Sequence, residues 1–161
     1  MSLKNTLKFL TASFFSIFLL NGAFADWPSY GGDNGSSQYT PLDQITAQNV
    51  DELVVAWSWD SVDNETVAAN IADNSTAIPA AWKATPIVVE RVMYIPTSFG
   101  RVAALDAQTG EARWVFDTRA WEAGRPANLG YNTRGVGYWE GNGKQRIFFA
   151  TNDSYLWSLN A

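Results

Sequence analysis

Apolar and polar positions in the second half of the chain fall into short runs divided by turn formers. Thr85-Pro86-Ile87-Val88-Val89-Glu90 reads as a first strand. Its proline sits near the start, where a missing N–H is tolerated. Val92 to Thr97 reads as a second strand, Arg101 to Asp106 as a third and Ala112 to Phe116 as a fourth, with turns at Gly100 and Thr109-Gly110. Short strands joined by tight turns predict an antiparallel meander. The pattern then resumes. Gly135 to Trp139 is a strand, Gly141-Asn142-Gly143 a hairpin turn, and Ile147 to Thr151 and Tyr155 to Leu159 are two more strands. Upstream, Leu53 to Trp59 reads as a strand with Val55, Trp57 and Trp59 on one face. Residues 26–50 are crowded with turn formers. Residues 60–82 read as a polar, Ala-rich surface excursion.

The two strand sets are copies. Arg91 to Ala107 lies over Gln145 to Ala161 without a gap. Thr97 matches Thr151, Leu105 matches Leu159, and Ala107 matches Ala161. Met93, Tyr94 and Ile95 fall on Ile147, Phe148 and Phe149, preserving the apolar pattern. A repeating four-stranded unit predicts an all-β fold, a β-propeller, with each unit one blade. A blade buries its faces against its neighbours. The second copy runs only to Ala161, the equivalent of Ala107, so the expectation is a propeller truncated within its second blade.

The N-terminus has a different pattern. Lys4 and Lys8 precede an apolar run from Phe9 to Leu20, and Ala23-Phe24-Ala25 follows. The run is shorter than the roughly 20 residues that a membrane-spanning helix needs. A basic start, a short apolar middle and an A-x-A end predict a signal peptide over residues 1–25, cleaved before Asp26. Export and no membrane-spanning segment after cleavage point to the periplasm.

Composition narrows the chemistry. The chain has no Cys and no His, which excludes disulfides, thiolate sites, imidazole catalysis and the usual zinc sets. Without residues 1–25, nine basic and sixteen acidic residues remain, a net of −7. That charge argues against nucleic acid as a partner. Asp60, Asp63, Glu65 and Asp73 read as solvated loop charges.

The most specific local pattern is Ala104-Leu105-Asp106-Ala107-Gln108-Thr109-Gly110-Glu111-Ala112-Arg113-Trp114. Gly110 suits a turn residue with positive φ, and Asp106 suits hydrogen bonding to nearby backbone N–H groups. Trp114 would then lay its broad face over a peptide plane of the next blade. The pattern resembles the tryptophan-docking repeat of dehydrogenases that depend on pyrroloquinoline quinone (PQQ). Asp26-Trp27-Pro28-Ser29-Tyr30-Gly31-Gly32-Asp33 resembles the mature start of that family. Asn49-Val50 through Leu53 to Trp57 resembles its first strand, and Arg134-Gly135-Val136-Gly137-Tyr138-Trp139 resembles its R-G-V-x-Y-W segment. The similarity covers residues 26–161.

The resemblance implies an eight-bladed propeller. Its N-terminal part would comprise a ring-closing strand at about 53–59, a blade at 85–117 and an incomplete blade at 135–161. It implies oxidation of a sugar or alcohol by hydride transfer to PQQ. It also implies a Ca²⁺ ion, with Ca²⁺ ligands and catalytic base beyond Ala161, and a quinone or cytochrome c as electron acceptor. This segment alone would be inactive. Arg134 matches the arginine that the family places at the quinone oxygens. Lys83 stands two residues before Thr85-Pro86, where methanol and ethanol enzymes often have Glu. It would pair with a PQQ carboxylate or stand as a solvated strand-end lysine. The adjacent Cys pair of the alcohol enzymes is absent from Asn128-Leu129-Gly130-Tyr131-Asn132-Thr133. Both departures point to the sugar-dehydrogenase-like branch. The alternative is a non-catalytic propeller module in envelope binding or assembly, because such propellers use the same docking repeat.

Overall fold

The computed structural model describes residues 26–79, 81–127 and 129–161. The expected signal peptide lies outside the described residues. Two antiparallel sheets carry the fold. The first contains β1 (Ile87–Val89), β2 (Val92–Pro96), β3 (Arg101–Asp106) and β4 (Ala112–Asp117), in that order. The second contains β5 (Gly137–Gly141), β6 (Lys144–Ala150) and β7 (Leu156–Asn160), again in chain order. Both are the meanders that the strand pattern predicts.

The copies are alike down to their hydrogen bonds. Ala107 N–H donates to Arg91 O at 2.9 Å, and Ala161 N–H donates to Gln145 O at 3.2 Å. At the other end of the sheet, Gly100 N–H donates to Thr97 O at 3.1 Å, and Ser154 N–H to Thr151 O at 3.0 Å. The hairpin turns match as well. Glu90 and Arg91 have φ 47° and 66°, and Asn142 and Gly143 have φ 52° and 68°. Two consecutive positive φ values give a turn whose twist suits flanking strands.

One hydrophobic cluster joins the sheets. Ile87, Val89, Val92, Tyr94, Val102 and Ala104 from the first meet Ile147 and Phe149 from the second. Alternation in β2, with Val92, Tyr94 and Pro96 buried, turns one face toward this cluster. Phe116 and Trp157 add a ring contact at 5.2 Å. Trp114 is half-buried against the same cluster, 6.0 Å from the Tyr94 ring.

The expected strand at Leu53 to Trp59 has no pairing partner among the described residues, and Val54 and Val55 are 87% and 86% exposed. A strand requires a neighbour to satisfy its N–H and C=O groups. Two expectations are corrected. The excursion at 60–82 contains a helix, α1 (Asp63–Ala72). Its three alanines favour helix, and Asp63 and Glu65 in the first turn suit the positive end of the helix dipole. Asn74, at φ 53°, takes the left-handed conformation just beyond its end. Finally, Asp63 is not a solvated loop charge; it is 4% exposed.

The docking turn forms as expected. Asp106 Oδ1 accepts from the N–H groups of Gln108 and Thr109 at 2.9 and 3.2 Å. Arg113 donates to Asp106 Oδ2 at 2.8 Å. The arginine hydrogen bond, helped by those N–H groups, holds the Asp106 carboxyl below its usual range. The indole that docks on this turn is Trp57, whose Nε1 donates to Ala107 O at 3.3 Å.

Candidate functional site

The topology gathers several segments at one end of the two sheets. The start of β1, the β2–β3 turn, the end of β4 and the start of β5 all lie there, because successive strands are antiparallel. The segment 118–136 crosses this end from β4 to β5. It includes a short 3₁₀ turn at Ala120–Ala123. Phe99, 1% exposed, anchors the crossing. Its ring meets Tyr131 edge-on at 5.0 Å and Trp121 at 5.6 Å. Thr118 Oγ1 donates to Gly100 O at 2.7 Å, which ties the crossing to the β2–β3 turn.

Arg134 stands at the end of this crossing, just before β5, with its side chain exposed. Its carbonyl accepts from Thr85 N–H at 2.8 Å. That bond takes the Arg134 carbonyl into the first blade, and β5 begins at Gly137 instead of Gly135. Lys83, also exposed, lies two residues before Thr85. The segments bearing the two expected cofactor residues are therefore brought together at the starts of β1 and β5. Neither side chain makes a hydrogen bond or ion pair to a described residue. Gly135 keeps the backbone open here: its nearest neighbour would be Thr85 O, 3.6 Å from an added Cβ. The two segments thus bring together two exposed cations with no partner among the described residues. Such a set suits a planar anion with carboxylates and carbonyl oxygens, because guanidinium supplies a rigid fork of donors and ammonium a compact charge.

Behind the site lies a polar cluster that the sequence did not reveal. Asp63, at the start of α1, accepts from Thr97 Oγ1 at 2.8 Å, from Phe99 N–H at 3.0 Å and from Arg101 at 2.8 Å. Arg101 also donates to Asp117 at 2.9 Å and to Thr66 at 2.9 Å. Burial works to lower the Arg101 pKa, but the bonds to Asp63 and Asp117 outweigh it and the net shift is upward. Thr133, immediately before Arg134, donates its hydroxyl to Thr97 O at 2.8 Å. Local sequence carried no signal for this cluster, since its partners lie 34 to 38 residues from Asp63.

Within the stretch 129–133, Leu129 and Gly130 take positive φ values of 59° and 64°. Asn128 lies outside the described residues. Nearby, Asn132 Oδ1 and Trp121 Nε1 are buried without a hydrogen-bond partner. Among the described residues, no group of three or more carboxylates is placed to hold a metal ion. No helix among them is long and apolar enough to cross a membrane.

Residues 27–161 match a family described as PQQ glucose/ethanol/alcohol dehydrogenase, β-propeller domain. The dehydrogenase subunit of alcohol dehydrogenase (quinone) from Gluconobacter oxydans (strain 621H) is 34% identical over 142 residues, which cover 84% of this chain and 16% of that protein. Quinoprotein glucose dehydrogenase A from Acinetobacter calcoaceticus is 30% identical over 157 residues, covering 86% of this chain and 18% of the relative. Among solved structures, quinohemoprotein alcohol dehydrogenase from Comamonas testosteroni superimposes with a TM-score of 0.64 at 30% identity, covering 85% of this chain and 18% of that one. The chain thus spans about a sixth of the length of the relatives it matches.

Proposed function

The chain belongs to the β-propeller family of PQQ-dependent glucose, ethanol and alcohol dehydrogenases, and on that premise we propose that it is the N-terminal part of a periplasmic enzyme that oxidises an alcohol or sugar hydroxyl. The reading rests above all on one observation. Arg134 and Lys83, both exposed and without a partner among the described residues, stand on segments joined by the Thr85–Arg134 hydrogen bond. PQQ, when bound, supplies the hydride acceptor. Arg134 would hold the quinone oxygens through its fork of donors and would stabilise negative charge developing there. Lys83 would neutralise a carboxylate of the same ligand. Leu53–Trp59 would find its missing strand partner in the last blade and so close the ring.

The Ca²⁺ ion that accompanies PQQ in the resemblance has no ligand set among the described residues. No role in holding it is assigned to this chain. The general base is likewise expected outside this chain, so residues 26–161 alone should show no dye reduction. The electron acceptor proposed for the whole enzyme is a quinone or a cytochrome c.

The test uses protein expressed from the whole reading frame and reconstituted with PQQ and Ca²⁺. Artificial-dye reduction is followed with primary alcohols and with aldose sugars. Substrate-dependent reduction that Arg134→Ala abolishes supports the reading. A folded protein that binds no PQQ supports the non-catalytic propeller module instead.

A further inference from the structure

We infer that Asp63 is a positioning residue for Arg134, acting through Thr97 and Thr133. The inference rests on the cofactor role proposed for Arg134. The chain of contacts is continuous. Asp63 accepts the Thr97 hydroxyl at 2.8 Å and the Phe99 N–H at 3.0 Å, which fixes the β2–β3 turn. The Thr97 carbonyl in that turn accepts the Thr133 hydroxyl at 2.8 Å. Arg134 follows, and its own carbonyl is held by Thr85. The main chain of Arg134 is therefore tied on both sides, to the β2–β3 turn before it and to the start of β1 at its own carbonyl.

The second blade differs in the source of its carboxylate. There the matching hydroxyl, on Thr151, donates to Asp153 from its own turn. In the first blade the carboxylate comes from α1 instead, although a local residue can do the same job. The first-blade turn is held by α1 on one side and meets the Arg134 segment on the other.

The physical reason for such a tie lies in Arg134 itself. Its side chain is exposed and has no partner among the described residues, so no contact with them fixes its direction. Holding the main chain restricts where the guanidinium can reach and lowers the entropy lost when it meets a ligand. Deleting the tie leaves the charge and removes the placement.

The experiment measures equilibrium PQQ binding by tryptophan fluorescence quenching in the protein from the whole reading frame, with melting temperature alongside. Thr133→Val removes the hydroxyl and keeps the shape. It is expected to weaken PQQ binding by about ten- to a hundredfold, the cost of misplacing a binding group by about 1 Å. Thr133→Ser should restore it. In an Arg134→Ala background Thr133→Val should change nothing further, because the two act as one unit. Asp63→Asn should weaken binding in the same way, and the Thr133 series keeps the result readable if that variant is unstable. Wild-type PQQ affinity in Thr133→Val, with affinity lost in Arg134→Ala, overturns the positioning inference and leaves the proposed role of Arg134 standing. An equal loss in both backgrounds also overturns it. Wild-type affinity in Arg134→Ala overturns the proposed role of Arg134, a separate failure.

Discussion

Trp57 lies so close to Gly110 that a Cβ on the glycine would stand 2.5 Å from the indole Cε3. Gly110 is also at φ 75°, where a side chain clashes with its own backbone. Both conditions demand glycine. Gly110→Ala is expected to destabilise the fold by about 1–3 kcal/mol from backbone strain, with further loss from displacing the indole. Thermal unfolding measures the first effect, and the tryptophan emission maximum should move to longer wavelength as Trp57 is released.

Breaking the Asp63–Arg101 pair leaves a guanidinium buried with less compensation. Removing one partner of a buried pair costs about 3–5 kcal/mol. Asp117 still holds Arg101 at 2.9 Å, so the lower end of that range is expected for Asp63→Asn. Denaturant unfolding of the variant and of Asp117→Asn should rank Asp63 as the costlier loss, since the Asp117 side chain is much more exposed.

Tyr138 is the phenol with the strongest perturbation. Burial, with the neighbouring Glu140 carboxylate, pushes its pKa from 10.0 up to about 12. An unfolded chain would release this proton first. The contribution to stability is therefore complete below pH 10 and is lost as pH rises from about 10 to about 12. A tyrosinate absorbance titration checks this: Tyr138→Phe should lose the latest-ionising part of the curve. A Phe variant with an unchanged curve above pH 11 would contradict it.

Lys83 and Arg134 should differ in how they respond to conservative change. Arg134→Lys keeps the charge but loses the planar fork, and it is expected to weaken PQQ binding nearly as much as Arg134→Ala. Lys83→Arg keeps a point of positive charge and should bind PQQ within a few-fold of wild type, the weaker constraint of a charge-only contact. Titration of PQQ into each full-length variant measures both.

The repeat was readable from the sequence because strand alternation and turn chemistry are local. Thr97 and Thr151, Ala107 and Ala161, and the turn at Asn142-Gly143 each announce themselves within a few residues. The structure reproduces them with matching hydrogen bonds. Arg134 and Lys83 were legible as candidates only through the family's motifs, and their juxtaposition was not legible at all. It depends on Thr85 N–H reaching a carbonyl far along the chain. Helix α1 was missed because its hydrophobic face is weak, and alanines among polar residues read equally well as loop.

Local sequence dictates the kind of unit this protein is built from: period-two strands, positive-φ turns and a docking motif leave little choice of local conformation. Which partners those units take follows only from the folded arrangement. Trp57, not a residue of the blade itself, covers Gly110. Asp63 is buried, because Thr97, Phe99 and Arg101 replace the water it would otherwise keep. The reason is that a residue's local conformation depends on its near neighbours, whereas the burial of a charge or an indole depends on groups that meet only after the chain has folded.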